Sequence, residues 1–329
     1  MSWLSLVSPA RVLALVLTLW SGSALAQSGE IVLYTSQPDR IADQTIAGFH
    51  QLYPKVDVQV FRSGTTEVVN KLMAEFMAGD PKADVVFIAD AVSMEALKAG
   101  GHLMAYPDAD VSAFPKAAYD KDMTYFGTKL ITTGIVYNTA AARPTSWLDL
   151  LDPALKGKVV LPSPLYSGAA AINMAALDSD PALGRDYYGR LARNGAAAVP
   201  SNGNVLREVA NGQKMYGVLV EFMALNAKRQ GSPVDFVFPK EGVAAITEPI
   251  AILKNAHHPE AAQAFVDFIL SKQGQELAAK QGFLPARTDV APPAGFPKPG
   301  DVRLLPIDMT KTVQAMGPMR ERFTELFGG

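Results

Sequence analysis

Four short stretches carry the residues that could hold a ligand: YTSQPD (34–39), RSGTTE (62–67), PLYSGAA (164–170) and PSNGNV (200–205). Each places Ser, Thr or Asn at the end of a strand-like run and just before a helical one. First-turn amides there have no intrahelical partner, and the helix dipole favours negative charge. The chemistry is that of gripping an anion, with Ser36, Gln37 and Asn202 as side-chain candidates. The same residue types also serve as plain helix caps. Four such turns in one two-lobed chain favour a shared ligand cleft over four unrelated caps.

Catalytic patterns are missing. The four histidines, His50, His102, His257 and His258, form no H-E-x-x-H motif, and no G-x-S-x-G, P-loop or G-x-G-x-x-G occurs. His257-His258 precedes a helical segment and reads as solvated surface. No cysteine exists, which excludes disulfides and thiolate metal ligands.

The elements that must position these turns alternate between strand and helix. Strand-like Ile31–Tyr34, Val56–Phe61 and Ala83–Ala89 interleave with helical Asp39–Leu52, Thr65–Met77 and Ser93–Ala99. That βαβαβα series predicts a parallel sheet. A second series follows: the GKVVLPSP strand, helical Ser167–Leu177, a helix from Asp180-Pro181 to Leu191, strand Ala196–Val199, helix Val205–Ala210, the MYGVLVE strand and helix Phe222–Gln230. Two long β-rich stretches, 124–138 and 242–255, are placed to join two lobes twice. Residues 258–282 read as one amphipathic helical segment, and Thr310–Leu326 as a helical tail. In open α/β sheets ligands bind beyond the carboxyl ends of the strands, where all four turns fall.

The opening residues set the compartment. Arg11 is the only early charge, Val12–Trp20 is apolar but too short for a bilayer, and Ala24-Leu25-Ala26 fits an A-x-A cleavage site. Residues 1–26 are therefore expected to be a secretory signal cleaved after Ala26, with the mature chain soluble in the periplasm. A net charge of −2 gives no sign of a nucleic-acid partner. With 49% hydrophobic residues the exported chain can rely on core burial in place of disulfides.

Several segments, in order, carry a resemblance: ADVVFIADAVSMEALKAGG, IVYN, SWLDLLDPALKGKVVLPSP, SGA, EVANGQKMYGVL and KQGFLPAR. With them the chain resembles the periplasmic solute-binding proteins of ABC transporters, in the group holding ferric-ion and organophosphate binders. The resemblance implies an α/β fold of the type II periplasmic binding protein class, two lobes with parallel-rich sheets joined by two hinge strands. Lobe one is expected from 27–125 and 248–300, lobe two from 126–247 and 301–329, with the cleft between them. It also implies a monomer that closes on a small anionic or zwitterionic solute and delivers it to an ABC permease in the inner membrane. No cofactor and no catalysis are expected.

Ferric members of that family carry an adjacent Tyr pair just after the strand matching YGVLVE, and an Arg in the hinge strand. Here the matching positions are Met223 and Ala224, and Thr133. Thioether and methyl groups cannot replace phenolates, so no metal ligand is assigned; Tyr187-Tyr188 falls inside a helical segment and reads as packing. Ser167-Gly168-Ala169 matches the stretch that grips phosphate in those members, and Ser63, Gly64, Thr65 and Thr66 add donors from the other lobe. Glu221 ends an apolar strand, where it either meets a ligand ammonium or hydroxyl group or pairs with a neighbouring Lys or Arg. Asp90 is a weaker candidate of the same type. The sequence thus points to capture of a small organophosphorus anion, 2-aminoethylphosphonate in first place and sugar phosphates or phosphoglycerate-like anions close behind, with Fe(III) as the alternative cargo and a periplasmic hydrolase as the remote one.

Overall fold

The computed structural model describes residues 28–294, 296 and 302–328; the expected signal segment 1–26 lies outside them. The chain first builds β1 (Ser28–Thr35), α1 (Asp39–His50), β2 (Lys55–Arg62), α2 (Thr65–Ala78), β3 (Val85–Phe87) and α3 (Ala91–Ala99). β1 runs parallel to β2 on one side and to β3 on the other. It then crosses on the long β4 (Phe126–Asn138) and builds β5 (Val159–Pro162), α4 (Gly168–Ser179), α5 (Tyr187–Arg193), β6 (Ala197–Val199), α6 (Asn202–Ala210), β7 (Tyr216–Val220), α7 (Glu221–Arg229) and β8 (Val234–Val237). β5 is parallel to both β6 and β7. The return strand β9 (Ala244–Ile252) leads to α8 (Pro259–Leu270), α9 (Lys272–Gln281), the short β10 (Leu284–Pro285) and the terminal α10 (Met309–Phe327).

The result is one ten-stranded sheet in the order β2-β1-β3-β9-β4-β7-β5-β6, with β8 and β10 also on β4. β4 is the pivot. Its first half pairs antiparallel with β9 and β10, and its second half with β7 and β8. The exchange falls at Thr133, which faces Ala244 on one side and Val220 on the other. This is the two-lobed α/β architecture with two hinge strands. We propose the lobe limits given above, with β4 and β9 as the linkers.

Apolar packing follows the layers. On one face of the first lobe's strands Phe49, Phe265 and Phe268 pack together, and on the other Val68, Leu72, Met94 and Leu97. The second lobe is centred on Trp147, Tyr187, Leu191 and Phe323. Tyr187 donates to the Trp147 carbonyl at 2.8 Å, Asn173 donates to the Tyr188 hydroxyl at 3.3 Å, and both rings are buried, as the packing reading of that pair requires.

Two helical expectations need correction. The helix expected from Asp180 begins only at Tyr187, because Gly184, at φ +72°, closes a turn by donating to the Asp180 carbonyl. The single segment 258–282 is two helices broken at Ser271. The Ser271 side chain caps α9 by accepting from the Gly274 amide, and Gly274 packs so tightly that a Cβ would lie 2.0 Å from the Phe268 carbonyl oxygen. No helix among the described residues is long and apolar enough to cross a membrane.

Candidate ligand cleft between the lobes

The strand-to-helix turns of both lobes open onto one cavity of about 540 Å³. Seven of the expected residues line it: Ser36, Ser63, Gly64 and Thr65 from the first lobe, and Ser167, Ala169 and Asn202 from the second. Each sits where it does for a local reason. Gly64 precedes α2 and offers no side-chain cap, so the first-turn amides of α2 keep their donors. Ser167 caps α4 through the Ala170 amide, and Ser201 caps α6 through the Asn204 amide, leaving the first amides of each helix free. Ser36 accepts from the Ala89 amide at 3.0 Å, and its own hydroxyl proton remains available. Asn202 donates to Ser167 at 3.2 Å, and its Oδ1 is buried with no partner.

The other expected residues stand behind the lining. Gln37 is buried; its side-chain amide donates to Glu248 at 2.9 Å. Thr66 accepts from Arg320 at 3.1 Å. Asp90 caps α3 through the Val92 amide and is held by the Ser93 hydroxyl; burial pushes its carboxyl up. Gly168 packs against Asp90 and the Ala89 carbonyl, and Thr133 is buried within β4.

Glu221 departs from the expectation that it would face the cleft. Its side chain is fully buried and does not line the cavity. Oε2 accepts from the Thr132 amide at 2.6 Å, while Oε1 has no partner. Nor does a Lys or Arg pair with it among the described residues. Burial instead pushes its carboxyl up to about 8, so at neutral pH it is largely protonated. The physical reason is the turn: Glu221 opens α7 directly after Val220, and its carboxyl is taken up by the Thr132 amide of β4.

Further residues complete the wall, of which Phe222 and Glu248 are in neither the four turns nor the family-matched positions named above. Arg62, Glu67, Ser201, Phe222, Met223 and Glu248 all border the cavity. Arg62 is held by donating from Nε to the Gln37 carbonyl at 2.8 Å. Glu248, on the hinge strand β9, pairs with Lys129 on the hinge strand β4 at 2.6 Å. Lys129 is buried over the rings of Phe283 and Phe87, at 3.9 and 5.1 Å from their centres. Burial pulls its ammonium down against the pull of Glu248.

The lobes also meet directly. A Cβ on Gly64 would come 2.8 Å from the Tyr166 carbonyl oxygen, and one on Gly168 would come 2.7 Å from the Asp90 Cβ. From α10, Arg320 donates to the Pro164 carbonyl of one lobe and to Thr66 of the other, both at 3.1 Å. The cavity is thus walled by both lobes in contact. Among the described residues no group of three or more His, Asp or Glu is placed to hold a metal ion.

Residues 80–311 match the family model described as bacterial extracellular solute-binding protein. The chain belongs to this family. It is a periplasmic solute-binding protein of the ABC-transporter class, whose members bind small solutes and engage ABC permeases rather than catalyse reactions. This solute-binding protein is 30% identical over 309 residues to an uncharacterised protein of Haemophilus influenzae, covering 88% of each chain. It is 27% identical over 301 residues to the putrescine/cadaverine-binding protein of Pseudomonas aeruginosa, covering 83% of this chain and 84% of that one. In fold it is similar to the periplasmic binding protein AfuA from Actinobacillus pleuropneumoniae, solved with fructose-6-phosphate, at a TM-score of 0.83 and 24% identity over 92% of this chain and 99% of that one.

Proposed function

We propose that this solute-binding protein captures a small organophosphorus anion in the periplasm and delivers it to its ABC permease. The observation that carries the reading is the convergence of three helix N-termini, those of α2, α4 and α6, on one cavity. Each is worth about 0.3–1 kcal/mol toward an anion through its dipole, and a hydrogen bond to a charged oxygen adds about 1.5–3 kcal/mol. Donors drawn from both lobes also explain closure: the anion is fully coordinated only when the lobes meet.

The remaining chemistry narrows the cargo. At about 540 Å³ the cavity has the size of a small-molecule site rather than of a bare phosphate, so it leaves room for an organic body. A diamine needs uncompensated carboxylates, but Glu67 is exposed and bonded by Ser63, and Glu248 is paired with Lys129. Fe(III) needs hard anionic ligands, and Met223 lines the cavity where ferric members carry tyrosine. The case for 2-aminoethylphosphonate rested on Glu221 as the ammonium partner, and Glu221 does not reach the cleft.

Isothermal titration of the ligand-free protein with inorganic phosphate, propyl phosphate, 2-aminoethylphosphonate, putrescine and ferric citrate tests the reading. We expect heat from the organic phosphorus compounds and none from putrescine or iron. Binding of putrescine or iron alone rejects the proposal.

A further inference from the structure

We infer that Glu248 is a specificity-determining residue that accepts a hydrogen bond from a hydroxyl group on the organic body of the ligand, and that it selects against an ammonium group at the same place. The inference rests on the phosphate-binding reading above and names the class of body that the phosphate carries.

Glu248 lines the cavity yet is only 3% exposed. It lies on β9 beside β4, on the hinge rather than on either rim. Both of its side-chain contacts fall on one oxygen: Oε2 receives the Gln37 amide at 2.9 Å and the Lys129 ammonium at 2.6 Å. Oε1 is the oxygen left for a ligand. The carboxylate is held rigidly, because its partners are themselves fixed. Lys129 sits between two aromatic rings, and Gln37 is anchored through its backbone amide to Thr35 at 3.1 Å. The helix N-termini offer donors to one end of a ligand, while Oε1 of Glu248 offers an acceptor on the hinge side of the cavity. A ligand matching both carries an anion at one end and a hydrogen-bond donor on its body.

Charge decides which donors. Lys129 already balances Glu248 in a buried setting. A ligand ammonium on Oε1 would stand within roughly 7 Å of the Lys129 ammonium, in a region where like charges are poorly screened. A hydroxyl makes the same hydrogen bond without adding a second cation. The cleft floor therefore suits a hydroxylated organic phosphate over an aminoalkyl one.

Three phosphate monoesters with one headgroup and different bodies separate these cases: propyl phosphate, glycerol 3-phosphate and phosphoethanolamine. For the unmodified protein we expect glycerol 3-phosphate to bind about tenfold tighter than propyl phosphate, with phosphoethanolamine no tighter than propyl phosphate. Glu248→Gln keeps the shape of the side chain but weakens its acceptor, and should erase most of the hydroxyl advantage while leaving propyl phosphate within about threefold. Tighter binding of phosphoethanolamine than of glycerol 3-phosphate overturns the inference, and so does an equal loss for all three ligands in the variant. If the variant does not fold, the ranking in the unmodified protein decides by itself. Failure of all three esters to bind rejects the phosphate reading itself, and with it this role for Glu248.

Discussion

Two carboxylates a few strands apart show how position sets the state of the same chemical group. Glu248 is paired with Lys129 at 2.6 Å; Glu221 has no cation beside it, and burial holds its carboxyl near 8 against an ordinary value of 4.5. The native protein therefore keeps a proton on Glu221 between these values, while the unfolded chain has lost it. Stability from this group is greatest below about pH 4.5, falls as pH rises, and levels off above about pH 8. At about 1.4 kcal/mol per pKa unit, the fall is of order 5 kcal/mol. Glu221→Gln mimics the protonated form and should flatten that decline, raising the urea midpoint at pH 8 while changing it little at pH 5. A variant that keeps the full slope shows that the decline comes from other groups. Neither carboxylate's role was legible beforehand. Which face a strand residue presents depends on register, and β9 acquires its register by pairing with β3 and β4, more than a hundred positions earlier in the chain.

Among the elements, α10 and the turn before α4 seal one side of the cleft. Gly168 has no room for a side chain against Asp90 and Ala89, and Arg320 ties Pro164 to Thr66. Gly168→Val should hold the lobes apart. We expect ligand affinity to fall at least about tenfold, because the closed state becomes rare, and small-angle scattering to show no contraction when ligand is added. Arg320→Met should weaken every ligand by a similar factor, since it acts on closure rather than on the ligand. In a double-mutant cycle the loss should be shared with Thr66→Val; fully additive losses would argue that Arg320 stabilises only α10. The turns themselves were readable, since hydroxyl and glycine residues between a strand run and a helix run have few other uses. The break at Ser271 was not, because helical periodicity continues across it and only the tight packing of Gly274 reveals it. Arg320 was missed for a similar reason: a charged residue on an amphipathic tail looks like surface until the tail is placed across both lobes.

For the whole molecule, the alternation of strands and helices and the two long β-rich stretches made the architecture legible, because hinge strands buried on both faces read as unbroken apolar and β-branched runs. Burial in β4 is nearly continuous from Phe126 to Asn138. What no local pattern could show was that the two lobes share a single continuous sheet. In that sheet β9 separates β3 from β4, so the first lobe's strands β2-β1-β3 have no link to β4 until residues 244–252 are present. A chain truncated after residue 243 should therefore unfold without a cooperative transition, although it contains β4 to β8 of the second lobe. During synthesis or passage through a pore, the first-made part must wait for a late segment to arrive. The order of strands acts as a timer, keeping the leading third pliable until about three quarters of the polypeptide has emerged.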